Sequence, residues 1–133
     1  MGQQQLLLII LGVIIVGIAI AVGLSMFSSQ SISSNKDAII NDLNNLFANA
    51  YQFRIRPSSM GGGNGSYKGY IIPATLSSNE NGTYVTNPSP VTADSTIIFD
   101  ATSTQNTNNK VSVTLESTGR PKAGSWTYEN EFK

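Results

Sequence analysis

The chain begins with a continuous run of apolar residues. Every residue from Leu6 to Phe27 is apolar, Gly or Ser. At 1.5 Å per residue, a helix over this run would be about 33 Å long, which matches the hydrocarbon core of a bilayer. The run therefore predicts a membrane-spanning helix. Glycine weakens helical turns, so we expect any melted segment to fall at Gly17 or Gly23.

A second helical pattern follows, with apolar residues on one side only. Ser34 or Asn35 is a plausible N-cap, and Pro57 is expected to end the helix. The apolar positions recur at helical spacing. We expect these positions to pack against a sheet: Ile39, Leu43, Leu46, Phe47 and Ala50. If the segment Ser25–Ser34 also stays helical, one helix runs to about Ile55 and measures on the order of 80 Å.

After Pro57 the apolar period changes from 3.6 residues to two. A glycine-rich loop at Met60–Ser66 precedes five short alternating runs. The predicted strands are Tyr67–Ile72, Thr83–Asn87, Thr96–Asp100, Lys110–Leu115 and Ser125–Glu129. The loops between them are too short for crossover helices, so the sheet is expected to be antiparallel.

These patterns predict an α+β fold, in which a long N-terminal α-helix packs on a small C-terminal antiparallel β-sheet domain. Residues 1–56 would form the helix, with residues 1–35 as the membrane-spanning or filament-core half. Residues 36–56 would be the amphipathic half that packs on the sheet, and residues 57–133 a β-rich globular head. The 133 residues leave room for one small core beside the apolar helix.

The composition restricts the function classes. The chain has eight basic and eight acidic residues, and charged residues make up 12%, roughly half of the usual share. No basic face for nucleic acid is therefore predicted. The chain has no His and no Cys, which removes most nucleophile–base pairs and thiolate metal sites. We expect no enzymatic activity, no cofactor and no metal site.

The N-terminal stretch "GQQQLLLIILGVIIVGIAIAVGLSMF", followed by an amphipathic helix, a glycine-rich link and a small sheet, resembles the type IV pilins and their superfamily. In that family a prepilin peptidase cuts after a glycine. The resemblance implies that Gly2 precedes the cut and Gln3 is the new N-terminus, or else that Met1 is the first mature residue. Most type IV pilins carry a glutamate near the mature N-terminus, where this chain has Gln3, Gln4 and Gln5.

The resemblance also implies partners and a location. The subunit would wait in the inner (cytoplasmic) membrane, meet the pilus assembly machinery and polymerise with copies of itself into an extracellular filament on the cell surface. Filaments of this family serve adhesion, motility, DNA uptake or other roles. The residues implied to pack in the filament core are Gln5, Leu8, Leu11, Ile15, Ile18, Val22 and Phe27.

Other interpretations of the same residues stay open. The apolar run is also typical of a single-span anchor for a surface binding module, or of a signal sequence cut after Ala19–Ala21. A minor pseudopilin of a secretion system would share the fold. No charged side chain precedes Lys36, so the basic flank that usually orients an anchor is missing.

Two local motifs have both a functional and a structural interpretation. Asn64 and Asn81 each begin a sequon for N-glycosylation, but Asn-Gly is also a favoured turn. The stretch Asp100–Lys110 offers oxygen ligands for Ca²⁺ but lacks the charge density of a calcium loop, so a hairpin connection is the expected structure.

Overall fold

The computed structural model describes residues 2–133 and contains one long α-helix, four β-strands and two short 3₁₀ helices. These elements are α1 (Gln3–Ile55), β1 (Gly82–Thr86), β2 (Ile97–Ser103), β3 (Lys110–Leu115), β4 (Thr127–Tyr128) and the 3₁₀ helices Ser58–Met60 and Asn130–Phe132. The predicted α+β class is confirmed. Met1 lies outside the described residues.

Helix α1 is continuous through the glycines and through the serine-rich stretch. Gly17 and Gly23 are helical, and so are Ser34 and Asn35. The predicted N-cap at Ser34 or Asn35 is therefore wrong. The stretch before it contains no Pro, and short polar side chains lower helix propensity without breaking the helix. The C-terminal prediction is confirmed, because α1 ends at Ile55, two residues before Pro57.

The chain divides into two compact units between Ser34 and Asn35. We call residues 2–34 the N-terminal segment and Asn35–Lys133 the globular unit. The globular unit contains the last part of α1 together with all four strands. The predicted boundary between residues 56 and 57 separates the helix from the sheet by chain order and stays a prediction.

The four strands form an antiparallel sheet in the order β1-β2-β3-β4. Burial alternates along β1, β2 and β3, as a sheet with one covered face requires. The buried side chains of this face are Tyr84, Thr86, Ile97, Phe99, Ala101, Ser103, Val111, Val113 and Leu115. Strand β2 extends to Ser103, three residues beyond its predicted end, and β4 is shorter than predicted.

The predicted strand Tyr67–Ile72 is wrong, because this segment forms a turn. The Tyr70 N–H donates to the Tyr67 carbonyl at 3.0 Å, and Gly69 has a φ of +85°. This left-handed conformation suits glycine and ends any extended strand. The turn buries both tyrosine rings, three positions apart, against the helix and the sheet.

The glycine-rich loop folds back on the end of α1. The N–H groups of Gly63, Asn64 and Gly65 donate to the carbonyls of Phe53, Arg56 and Arg54, respectively. The last carbonyls of a helix have no partner within the helix, so the loop satisfies acceptors that would otherwise be unpaired. This loop fixes the direction in which the chain leaves the end of the helix.

Candidate functional site

The largest exposed apolar surface among residues 2–133 lies on the N-terminal segment. Sixteen large apolar side chains between Leu6 and Phe27 are each more than half exposed. We call them the apolar surface. Its members are Leu6, Leu7, Leu8, Ile9, Ile10, Leu11, Val13, Ile14, Ile15, Val16, Ile18, Ile20, Val22, Leu24, Met26 and Phe27.

The apolar surface surrounds the helix on every side. Successive helical residues turn by about 100°, so a run of consecutive apolar residues leaves no polar face. The segment is long and apolar enough to cross a membrane. All six apolar residues implied for the filament core belong to this surface. Gln5, the seventh, is also exposed, one turn earlier.

The residues implied in processing lie at the start of α1. Gly2 immediately precedes the helix, its carbonyl accepts a hydrogen bond from the Gln5 N–H at 3.1 Å, and Gln3 begins the helix. Gly2 and Gln3 are both exposed. The first turn contains no acidic side chain. The alternative that Met1 is the first mature residue falls outside the described residues.

The residues predicted to pack against the sheet lie in the core of the globular unit. Ile39, Leu43, Leu46, Phe47 and Ala50 are at most 3% exposed. The Phe47 ring lies 5.5 Å from the Phe99 ring and 5.9 Å from the Trp126 ring, centroid to centroid. These distances are typical of favourable aromatic pairs. These five residues of α1 therefore cover one face of the sheet, and the Phe47 ring contacts Phe99 of β2 directly.

A polar cluster joins α1 to β1 beside this core. Oδ2 of Asp42 accepts hydrogen bonds from the Tyr84 hydroxyl at 2.6 Å, from Nδ2 of Asn79 at 2.8 Å and from Nδ2 of Asn81 at 3.1 Å. Burial alone raises the pKa of the Asp42 carboxyl, but the three hydrogen bonds together outweigh it and lower the pKa. For Tyr84, burial and the nearby Asp42 carboxylate raise the pKa of the phenol.

Asn35 is a buried polar residue, although the sequence pattern predicts it at the start of a helix. It lies on the same side of α1 as Ile39, four positions earlier, and its side chain is 5% exposed. Its Nδ2 donates to the Asn81 carbonyl at 3.1 Å, and its Oδ1 accepts from the Ser103 hydroxyl at 2.6 Å. The spacing to Ile39 is the signal that could have placed Asn35 in the interface.

The two sequon asparagines differ in their surroundings. Asn64 is exposed and has a φ of +51° in the glycine-rich loop. Asn81 is half-buried, and its side-chain nitrogen, the atom that carries a glycan in N-glycosylation, donates to Asp42. A glycan on Asn81 would disturb the polar cluster, whereas a glycan on Asn64 would meet solvent.

The stretch Asp100–Lys110 is the hairpin connection that the sequence predicts. Residues as far as Ser103 belong to β2, and β3 begins at Lys110. The Asp100 carboxylate accepts a hydrogen bond from the Ser112 hydroxyl at 2.6 Å. Among residues 2–133, no group of three or more His, Cys, Asp or Glu side chains could hold a metal ion.

The architecture of a long apolar N-terminal helix and a small antiparallel sheet resembles a pilin fold. The amphipathic part of α1, from Asn35 to Ile55, packs on the sheet. Comparison of the chain with protein-family models, curated proteins and solved structures found no match.

Proposed function

We propose that this chain is the major structural subunit of an extracellular, type IV pilus-like filament, and that the apolar surface forms the filament core. The observation that carries the proposal is that sixteen large apolar side chains around one helix are each more than half exposed. Each such side chain gains about 1.5–3 kcal/mol when it is fully buried, so this surface requires an apolar environment. Lipid and other copies of the same helix are the two candidates.

The charge pattern favours other copies of the helix, and not lipid, as the final surroundings of the apolar surface. The first charged side chain is Lys36, so packing the apolar surface against itself buries no ion. Moving such a helix from lipid to neighbouring helices costs little, because lipid tails and leucine side chains are similarly apolar.

A membrane-anchored surface binding module is the second candidate, and the span-length apolar helix supports it as well. The two candidates differ in what the apolar surface contacts. An anchor needs lipid around one helix, whereas a filament needs every copy to pack against others. A single charged residue introduced into the apolar surface therefore distinguishes the two candidate functions.

The experiment compares Val13→Arg with the matched control Val13→Leu in the producing cells. One arginine at the centre of a span costs about 2.5–3.5 kcal/mol for insertion, which a helix this apolar tolerates. We expect Val13→Arg to stay in the membrane fraction and to yield no fibres in sheared surface material imaged by negative stain. Val13→Leu should yield fibres like the wild type. A wild-type chain that gives no fibres and remains monomeric would contradict the proposal.

A further inference from the structure

All sixteen charged side chains belong to the globular unit, since the first of them is Lys36. Their formal sum is zero, but they are not evenly mixed. The helical part of this unit runs from Asn35 to Ile55, so its two ends lie about 30 Å apart. Each charged residue can be assigned to one of these ends, or to the middle, by its contacts.

The end near Ile55 is basic. Arg54 and Arg56 lie in and just after the last turn of α1, and the Arg54 guanidinium lies 5.5 Å from the Tyr67 ring centre. The Tyr67 hydroxyl donates to the Glu116 carbonyl at 2.7 Å, which brings the 116–120 turn to this end. The charged residues here are Arg54, Arg56, Lys68, Arg120 and Lys122, with Asp94 and Glu116. Five cations against two carboxylates give a net charge of +3.

The end near Asn35 is acidic. Asn35 contacts Asn81 and Ser103, and Ser103 donates its N–H to Asn109, whose amide nitrogen donates to Glu131 at 2.8 Å. The charged residues here are Asp37, Asp42, Glu80, Glu129 and Glu131, with Lys36, Lys110 and Lys133. Five carboxylates against three cations give −2. Asp100 lies between the two ends, opposite Val85 in the sheet.

We propose that the basic end of one globular unit contacts the acidic end of a second copy, and that this contact sets the axial register of the subunits. The proposal rests on the filament function proposed above. A head-to-tail contact uses two different surfaces and does not close on itself, so it extends into an open array. Opposite charges also disfavour wrong registers. Two copies placed side by side without an axial shift would bring basic end to basic end and acidic end to acidic end, and like charges would repel.

The side chains that carry this complementarity are accessible. Arg56, Lys68, Arg120 and Lys122 are exposed at the basic end, as are Asp37, Glu80, Glu129 and Glu131 at the acidic end. Arg54 and Asp42 are half-buried and serve the unit's own packing. The exposed residues can therefore be replaced without opening the core.

The test reverses the charge at each end of the globular unit separately, and then at both ends in one variant. Arg56→Glu with Lys68→Glu changes the basic end to −1, and Asp37→Lys with Glu80→Lys changes the acidic end to +2. A control for net charge combines the basic-end reversal with Asp100→Lys, Val85→Lys and Thr127→Lys, which lie in one row across the sheet between the ends. Each variant is first checked for the wild-type fluorescence of Trp126, and fibres are then counted by negative stain.

We expect either reversal alone to lower the fibre yield at least tenfold, and the four substitutions together to restore it. The control should not restore it. Normal fibres with either reversal, failure of the combined variant or rescue by the control would overturn the register contact. These outcomes apply only where the wild type forms fibres, so they are distinct from failure of the filament function itself.

Discussion

The phenolic oxygen of Tyr84 lies 2.6 Å from Oδ2 of Asp42, so a buried residue of β1 donates a hydrogen bond to a carboxylate on α1. Hydrogen bonds to charged groups contribute about 1.5–3 kcal/mol to stability. Tyr84→Phe keeps the ring and removes this bond. We expect the free energy of unfolding to fall by about that amount. Urea unfolding of the full chain in mild detergent, followed by Trp126 fluorescence, measures the change, and an unaltered midpoint would contradict it.

The same carboxylate makes stability depend on pH. In the folded chain the pKa of Asp42 lies below its ordinary value of 3.8, because the three hydrogen bonds outweigh burial. Its contribution is therefore complete above that ordinary value and is lost as the pH falls through the lower, folded value. We expect the urea midpoint to drop below about pH 4 more steeply in the wild type than in Asp42→Asn. Parallel curves for the two proteins would show that Asp42 does not carry the effect.

Asn35 should stabilise the globular unit through its two side-chain hydrogen bonds. Asn35→Ala removes both and leaves the buried Ser103 hydroxyl without its acceptor. We expect a loss of about 1–3 kcal/mol, the usual cost of an unsatisfied buried polar group. In a double-mutant cycle with Ser103→Ala, the two losses should not add. Additive losses would mean that the 2.6 Å contact contributes nothing of its own.

Gly119 and Gly124 provide a matched pair of turn glycines. Their φ values are +80° and +72°, and a Cβ on Gly119 would lie 2.7 Å from Tyr51 ring atoms, whereas one on Gly124 would meet nothing within 4 Å. Gly124→Ala therefore adds only backbone strain, about 1–2 kcal/mol. Gly119→Ala adds the clash with Tyr51 and should destabilise more. Equal urea midpoints for the two variants would refute the contact with Tyr51.

The helix and most of the sheet could be predicted because their patterns are regular. Ile39, Leu43 and Phe47 recur at helical spacing, and all three are buried. Val111 and Val113 alternate with polar residues, and β3 has its predicted bounds. In such segments one face packs and the other meets water, so burial follows the sequence period.

The errors fall where a polar residue is buried or a glycine turns the chain. Asn35 and Ser103 are polar residues of the kind usually found on the surface. They are buried here because the Ser103 hydroxyl of β2 donates a hydrogen bond to the Asn35 side chain of α1. Tyr67 and Tyr70 suggested a strand because aromatic residues favour strands. Gly69 has a positive φ between them, and the three-residue spacing of the rings fits a turn. The polar cluster around Asp42 escaped prediction because its members are 37 to 42 positions apart.

The exposed apolar helix also makes the chain an amphiphile. One part of each molecule presents sixteen large apolar side chains, and another carries all sixteen charged side chains. Such a molecule behaves like a surfactant, because its concentration as free monomer in water is limited by the cost of hydrating the apolar part. Above that limit, added protein enters bilayers, micelles or its own aggregates. In the proposed filament, the supply of subunits would then be set by the amount held in the membrane.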